Sequence, residues 1–152
     1  MSFKTIFSAA LAALLFAVPA WAEGVEAHDA YAISSGAGAM TGGAYMVIHN
    51  HGGPADRLID VRSDVAVRVQ LHTHMESADG VMQMRHVEEG FALPTDGEIV
   101  LERGGHHIML MGLTAPLEQG AVFSITLVFE QAGEVPVDVT VDLERMAGEH
   151  SH

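Results

Sequence analysis

The sequence predicts an all-β sandwich or barrel, and three observations carry that expectation. From Tyr45 onward the chain is a succession of short apolar and β-branched runs. The breaks between them are rich in glycine, proline and acidic turn residues, and no run sustains a helical period. The chain has no cysteine, so such a fold rests on packing and hydrogen bonding and not on disulfides.

Taken in order, the first residues read as an export signal. One cation, Lys4, precedes an apolar run from Ala9 to Val18, and Ala20-Trp21-Ala22 has the small-x-small form of a signal-peptidase site. Residues 1–22 are therefore expected to be a cleaved signal peptide, because the apolar run is shorter than the ~20 residues needed to span a bilayer. Residues 23–143 are expected to form a single β-sandwich domain, and 144–152 a flexible tail that contains histidines. Within the domain, strands are predicted over 29–33, 44–50, 57–62, 66–74, 81–87, 98–102, 107–113, 121–129 and 136–143. The Gly/Ala stretch 34–44 is predicted as a loop. HGGPAD, ESADG, LPTDG, RGG, TAPLEQG and QAGEV supply breaks where a strand cannot easily continue. In the run from Val65 to His72, Val65, Val67, Val69 and Leu71 alternate with Ala66, Arg68, Gln70 and His72, which places His72 on the polar face.

The formal net charge is −13, and loss of Lys4 with the leader makes it one unit more negative. Nucleic acid is excluded as a natural partner by that balance. Solubility explains the charge, and attraction of metal cations or of a basic partner face is the sharper reading.

Of ten histidines and nine methionines, five of each fall in two short segments, LHTHMESADGVMQMRH from Leu71 to His86 and GGHHIMLMGL from Gly104 to Leu113. Strand alternation puts His107, Met109 and Met111 on one face of the second segment, so an imidazole and a thioether stand side by side on a rigid element. In the first segment His72 and His74 share a face, a short acidic turn follows, and Met82 and Met84 share a face of the next strand. Antiparallel pairing can unite the groups. Two imidazoles and two thioethers make a neutral, partly soft donor set of the kind that selects copper(I), whereas zinc ordinarily asks for thiolate or carboxylate. Thioethers also escape loss to a disulfide in an oxidising compartment. Met46, Met82 and Met111 read as core filler, and His28, His49, His51 and His86 as surface or satisfied core residues.

A histidine, eleven intervening residues, a methionine, and then His-x-Met followed by Leu-Met-Gly-Leu resembles the periplasmic copper chaperones called PCu(A)C. Here the pattern falls on His72, Met84, His107 and Met109, and the similarity extends through TGGAYMVIHN and DRLIDVRS over most of the chain. Twenty-two residues separate Met84 from His107; His106 would restore the family's spacing but turn Met109 off the shared face, so His107 is preferred. His74 is an auxiliary candidate that could replace His72 or assist transfer. The resemblance implies a cupredoxin-like Greek-key sandwich without the cysteine of a blue-copper site. It also implies a periplasmic, monomeric copper(I) metallochaperone rather than an enzyme. Its acceptor would be the binuclear copper centre of cytochrome c oxidase, on subunit II, or another assembly chaperone.

Two other functions compete. A copper buffer or resistance protein needs the same ligands, and a periplasmic copper or zinc enzyme would use His72, His74, His106 and His107 and leave Met84 and Met109 idle. The C-terminus adds Glu149, His150 and His152, a nitrogen and oxygen set expected to suit copper(II) at a second site.

Overall fold

The computed structural model describes residues 24–145, so the predicted leader and the tail donors Glu149, His150 and His152 lie outside the described residues. Ten strands form in chain order: β1 Val25–Ser34, β2 Thr41–Asn50, β3 Asp56–Arg62, β4 Ala66–Glu76, β5 Met82–His86, β6 Phe91–Leu93, β7 Glu98–Leu101, β8 His107–Leu113, β9 Val122–Phe129 and β10 Gly133–Val141. They join edge to edge in the order β5-β4-β8-β2-β1-β10-β9-β3-β6.

Strand β2 is the hinge of the arrangement. Its first half, Thr41 to Ala44, pairs with β8, and its second half, Met46 to His49, pairs with β7. Strand β1 runs along its other edge and passes the sheet on to β10 through a parallel pairing. The sheet folds over so that β3 packs near β4 and β6 near β7, giving two layers. Between them lie Met46, Ile48, Leu58, Leu93, Ile108, Leu110, Ile125, Leu127, Val139 and Val141, all essentially inaccessible. Each such side chain contributes roughly 1.5–3 kcal/mol through removal of apolar surface from water.

Every predicted strand is present, and β8 has the predicted limits. Strand β6 was not expected, since three residues are too short for an alternation to register. The predicted loop 34–44 is shorter than expected, because Thr41, Gly42 and Gly43 belong to β2. Glycine ordinarily weakens a strand, but here its small size is what the pairing needs: a Cβ on Gly42 would stand 2.8 Å from the Ile33 carbonyl oxygen and 3.1 Å from Leu117 Cδ1. At the start of β4 it is Ala66 that faces the core, while Val67 is exposed and lies against Gly112 of β8.

Candidate metal centre

The register of four strands builds the site. Antiparallel pairing of β4 with β8 sets His72 opposite His107, Leu71 opposite Ile108 and Gln70 opposite Met109. Pairing of β4 with β5 sets His74 opposite Met84 and His72 opposite His86. On the far side of β8, Met109 lies opposite Gly43 of β2. Because side chains alternate between faces, His72, His74, Met84, His86, His107 and Met109 share one face, while Leu71, Ile108 and Leu110 fill the core on the other.

On that face a cavity of about 190 Å³ is lined by His74, Met84, His107 and Met109, with Gly42, Gly43 and Tyr45 among its walls. Gly43 makes room for Tyr45, whose ring lies back over it; a Cβ at Gly43 would meet the phenol oxygen at 2.5 Å. Tyr45 packs in turn against Tyr31, at 5.2 Å between ring centroids, and against His107 at 6.2 Å.

Three of the four predicted ligands, Met84, His107 and Met109, thus meet in one cavity, joined there by His74. His72 sits beside it, its ring centroid 5.9 Å from that of His107 and 5.7 Å from that of His86; the His74 and His107 centroids are 5.1 Å apart. His106 points elsewhere. Its ring lies on Phe91, 4.2 Å between centroids, and its Nδ1 is 2.9 Å from Thr73 Oγ1, so the geometry puts His107 and not His106 in the cavity. Of the methionines read as filler, Met46 is buried in the core, whereas Met82 is exposed on β5.

Hydrogen bonds fix which imidazole nitrogens carry lone pairs. Only 3% of His107 is exposed, and its Nδ1 is 3.1 Å from the Gly105 carbonyl oxygen. A carbonyl only accepts, so Nδ1 carries the hydrogen and Nε2 is left with its lone pair. His72 has the opposite arrangement: its Nε2 is 3.1 Å from Gln70 Oε1, and its Nδ1 is buried with no hydrogen-bond partner. A buried nitrogen with no partner is costly unless something else uses its lone pair.

Both rings are biased toward the neutral, coordinating form. Burial lowers the pKa of His72 below 6.5, and the neighbouring His107 and His86 add to the effect. Burial also lowers that of His107; the Gly105 carbonyl opposes the shift, and His74 and His106 reinforce it. The residues therefore fit a soft monovalent cation: neutral nitrogen and thioether donors converge, and no cysteine competes.

A match to the protein family described as "Putative lipoprotein LpqE-like" spans residues 25–141, that is, from the first strand to the last. The chain belongs to the LpqE-like family. It is 37% identical over 120 residues to "Putative lipoprotein Lxx21020" of Leifsonia xyli subsp. xyli, covering 79% of this chain and 70% of that protein. Among solved structures, the copper-bound PCuAC domain from PmoF2 is similar with a TM-score of 0.63 at 26% identity, over 78% of this chain and 92% of that one. The solution structure of apo-DR1885 from Deinococcus radiodurans aligns with a TM-score of 0.62 at 26% identity, over 94% and 93% of the two chains. Its CuI form aligns with a TM-score of 0.60 at 27% identity, over 81% and 83%. The expected fold, a single cupredoxin-like Greek-key sandwich, and the PCu(A)C resemblance are both borne out.

Sequence reasoning missed the walls of the cavity. The signal was present in TGGAY, a glycine pair two residues before an aromatic ring, but only the pairing of β2 with β8 shows that Gly43, with the Tyr45 ring folded over it, stands opposite Met109.

Proposed function

We propose that this LpqE-like protein is an exported copper carrier that holds one copper(I) ion on Met84, His107, Met109 and His72 and passes it to an acceptor protein. The observation that carries the reading is the meeting of two thioethers with the buried His107 imidazole in one cavity, next to an unpartnered His72 Nδ1. Copper-bound and CuI structures of similar domains support it, and the lipoprotein names of the family and of the Leifsonia relative support export.

His72 is the fourth ligand in this reading because its Nδ1 lone pair has no other use. His74 lines the cavity directly opposite Met84 and takes the ion during exchange, so that copper leaves by ligand replacement without passing through a two-coordinate state. Met84 is half exposed and opens the site to a partner. No nucleophile or acid–base pair is required, because transfer is ligand exchange. The acceptor proposed on the family resemblance is the binuclear copper centre of cytochrome c oxidase.

Anaerobic titration with copper(I) against a competing chelator tests the site. Met84→Ala, Met109→Ala, His107→Ala and His72→Ala are each expected to weaken binding at least tenfold, a loss of about 1.4 kcal/mol or more. His74→Ala is expected to retain affinity and slow transfer to an acceptor fragment. Binding indifferent to both methionines would return them to a packing role and overturn the assignment.

A further inference from the structure

At the opposite end of β2 a second group of donors comes together on one face of the sheet. Pairing of β1 with β2 sets Glu26 opposite His49, and pairing of β2 with β7 sets His49 opposite Glu98. His28, two residues beyond Glu26 on β1, points to the same side, and His51, just past the end of β2, comes back to Glu26 as well. The opposite face of these strands carries Ile48, which is fully buried, so this face looks outward. Six residue steps separate Gly43, at the first cavity, from His49, or about 20 Å along the strand.

The donors are close enough to share an ion. His28 Nε2 and His51 Nε2 lie 3.5 Å and 3.6 Å from Glu26 Oε2, and one ligand atom from each of Glu26, His28 and His51 falls within 4.8 Å of the others. Ligand atoms about 2.0–2.2 Å from a common metal are separated by roughly 3–4 Å, so small rotations of exposed side chains close the shell. His49 is within reach as a further imidazole: its ring centroid is 5.3 Å from that of His28 and 5.5 Å from that of His51. Its Nδ1 is 3.4 Å from Glu98 Oε2, a carboxylate partner that sets the tautomer and leaves Nε2 to coordinate.

We infer that Glu26, His28 and His51, with His49 beside them, form a second metal site that takes divalent copper. Three imidazoles and a carboxylate, with no thioether among them, are the nitrogen and oxygen donors that copper(II) prefers, and at a site of given donors copper(II) outranks zinc(II). Between His28 and Tyr31 the register of β1 slips by one residue, and Asp29 takes a φ of 53° there. A bulge of this kind ends the regular pairing beside His28 and separates its surroundings from the rest of the strand.

The test uses the mature protein with His150→Ala and His152→Ala in place, so that tail histidines do not contribute. Copper(II) is titrated against a competing chelator and followed by electron paramagnetic resonance. One copper(II) with hyperfine structure from several nitrogens is expected, and His28→Ala or His51→Ala should weaken it at least about tenfold. Both positions are about half exposed, so these variants are expected to fold. Copper(I) affinity should not change in either variant, which separates this site from the one proposed above. Copper(II) binding indifferent to both substitutions overturns the inference, and displacement of copper(II) by an equal concentration of zinc(II) overturns the choice of metal.

Discussion

Replacing Gly43 with alanine tests whether the cavity beside Met109 depends on a missing side chain. The new Cβ would stand 2.5 Å from the Tyr45 phenol oxygen, 3.0 Å from Cζ and 3.3 Å from Cε2. Carbon contacts are comfortable at about 3.5–4.0 Å, so the outer part of the ring must move by about 1 Å. It has little room, because Tyr45 is 8% exposed and is held between Tyr31 and His107. Overpacking of this type costs about 1–3 kcal/mol. With a urea dependence of about 1–3 kcal/mol per molar, the unfolding midpoint of the metal-free protein should fall by roughly 1 M. The displaced ring also presses on His107, so copper(I) affinity should drop severalfold in the same variant. Urea unfolding followed by circular dichroism, together with anaerobic copper(I) titration, reads both effects. Gly38→Ala is the control, since nothing lies within 4 Å of a Cβ there and its stability should stay within about 0.5 kcal/mol of the parent. A Gly43→Ala protein as stable as the parent and with unchanged copper affinity would refute the packing argument.

Four other outcomes are expected. His72 and His107 both have pKa values below 6.5, so protons should begin to compete with copper(I) only at pH values below that of an ordinary histidine. The same shifts make the unfolded chain bind more protons than the fold as pH drops through 6.5. Stability of the metal-free protein is then complete above that value and declines below it until the folded-state pKa values are passed; urea midpoints between pH 5 and 8 that do not change, or that rise on acidification, would count against this. Asn50 is 2% exposed, donates through Nδ2 to the carbonyls of Pro54 and Pro94, and accepts from the Gly53 amide. Its replacement by alanine should therefore cost about 2–3 kcal/mol in urea unfolding while copper(I) binding is retained. Mild peroxide should oxidise Met84, 53% exposed, well before Met46 at 1%. Copper(I) binding should be lost in step with the Met84 sulfoxide seen by mass spectrometry, and intact binding by the oxidised protein would show that Met84 is not a ligand.

The reading of the sequence was most secure where the determining pattern is local. HIMLMGL alternates cleanly between glycines, so both the limits of β8 and the common face of His107 and Met109 follow from a few consecutive residues. The same holds for His72 and His74 on β4. Where alternation was absent, local reading lost its force: Phe91–Leu93 is too short to show a period, and Gly42 and Gly43 look like loop until their close contacts with Ile33 and Tyr45 are known.

What the sequence by itself determined, then, is the β class, the cysteine-free chemistry, and the set of soft and imidazole donors from which a copper site is built. The tertiary structure decided which donors meet. The β4–β5 hairpin, β2 and β8 come from separate parts of the chain, and their relative register is set by nonlocal burial of Ile108, Leu110 and their partners, which no short window contains. That register brings His74 into the cavity with Met84, leaves His72 beside it, and turns His106 toward Phe91. The pairings of β1 and β7 with β2 likewise gather Glu26, His28, His49 and Glu98, with His51 just past the end of β2, residues that separately look like ordinary surface, because a one-residue slip in either pairing would have sent the strand residues to opposite faces.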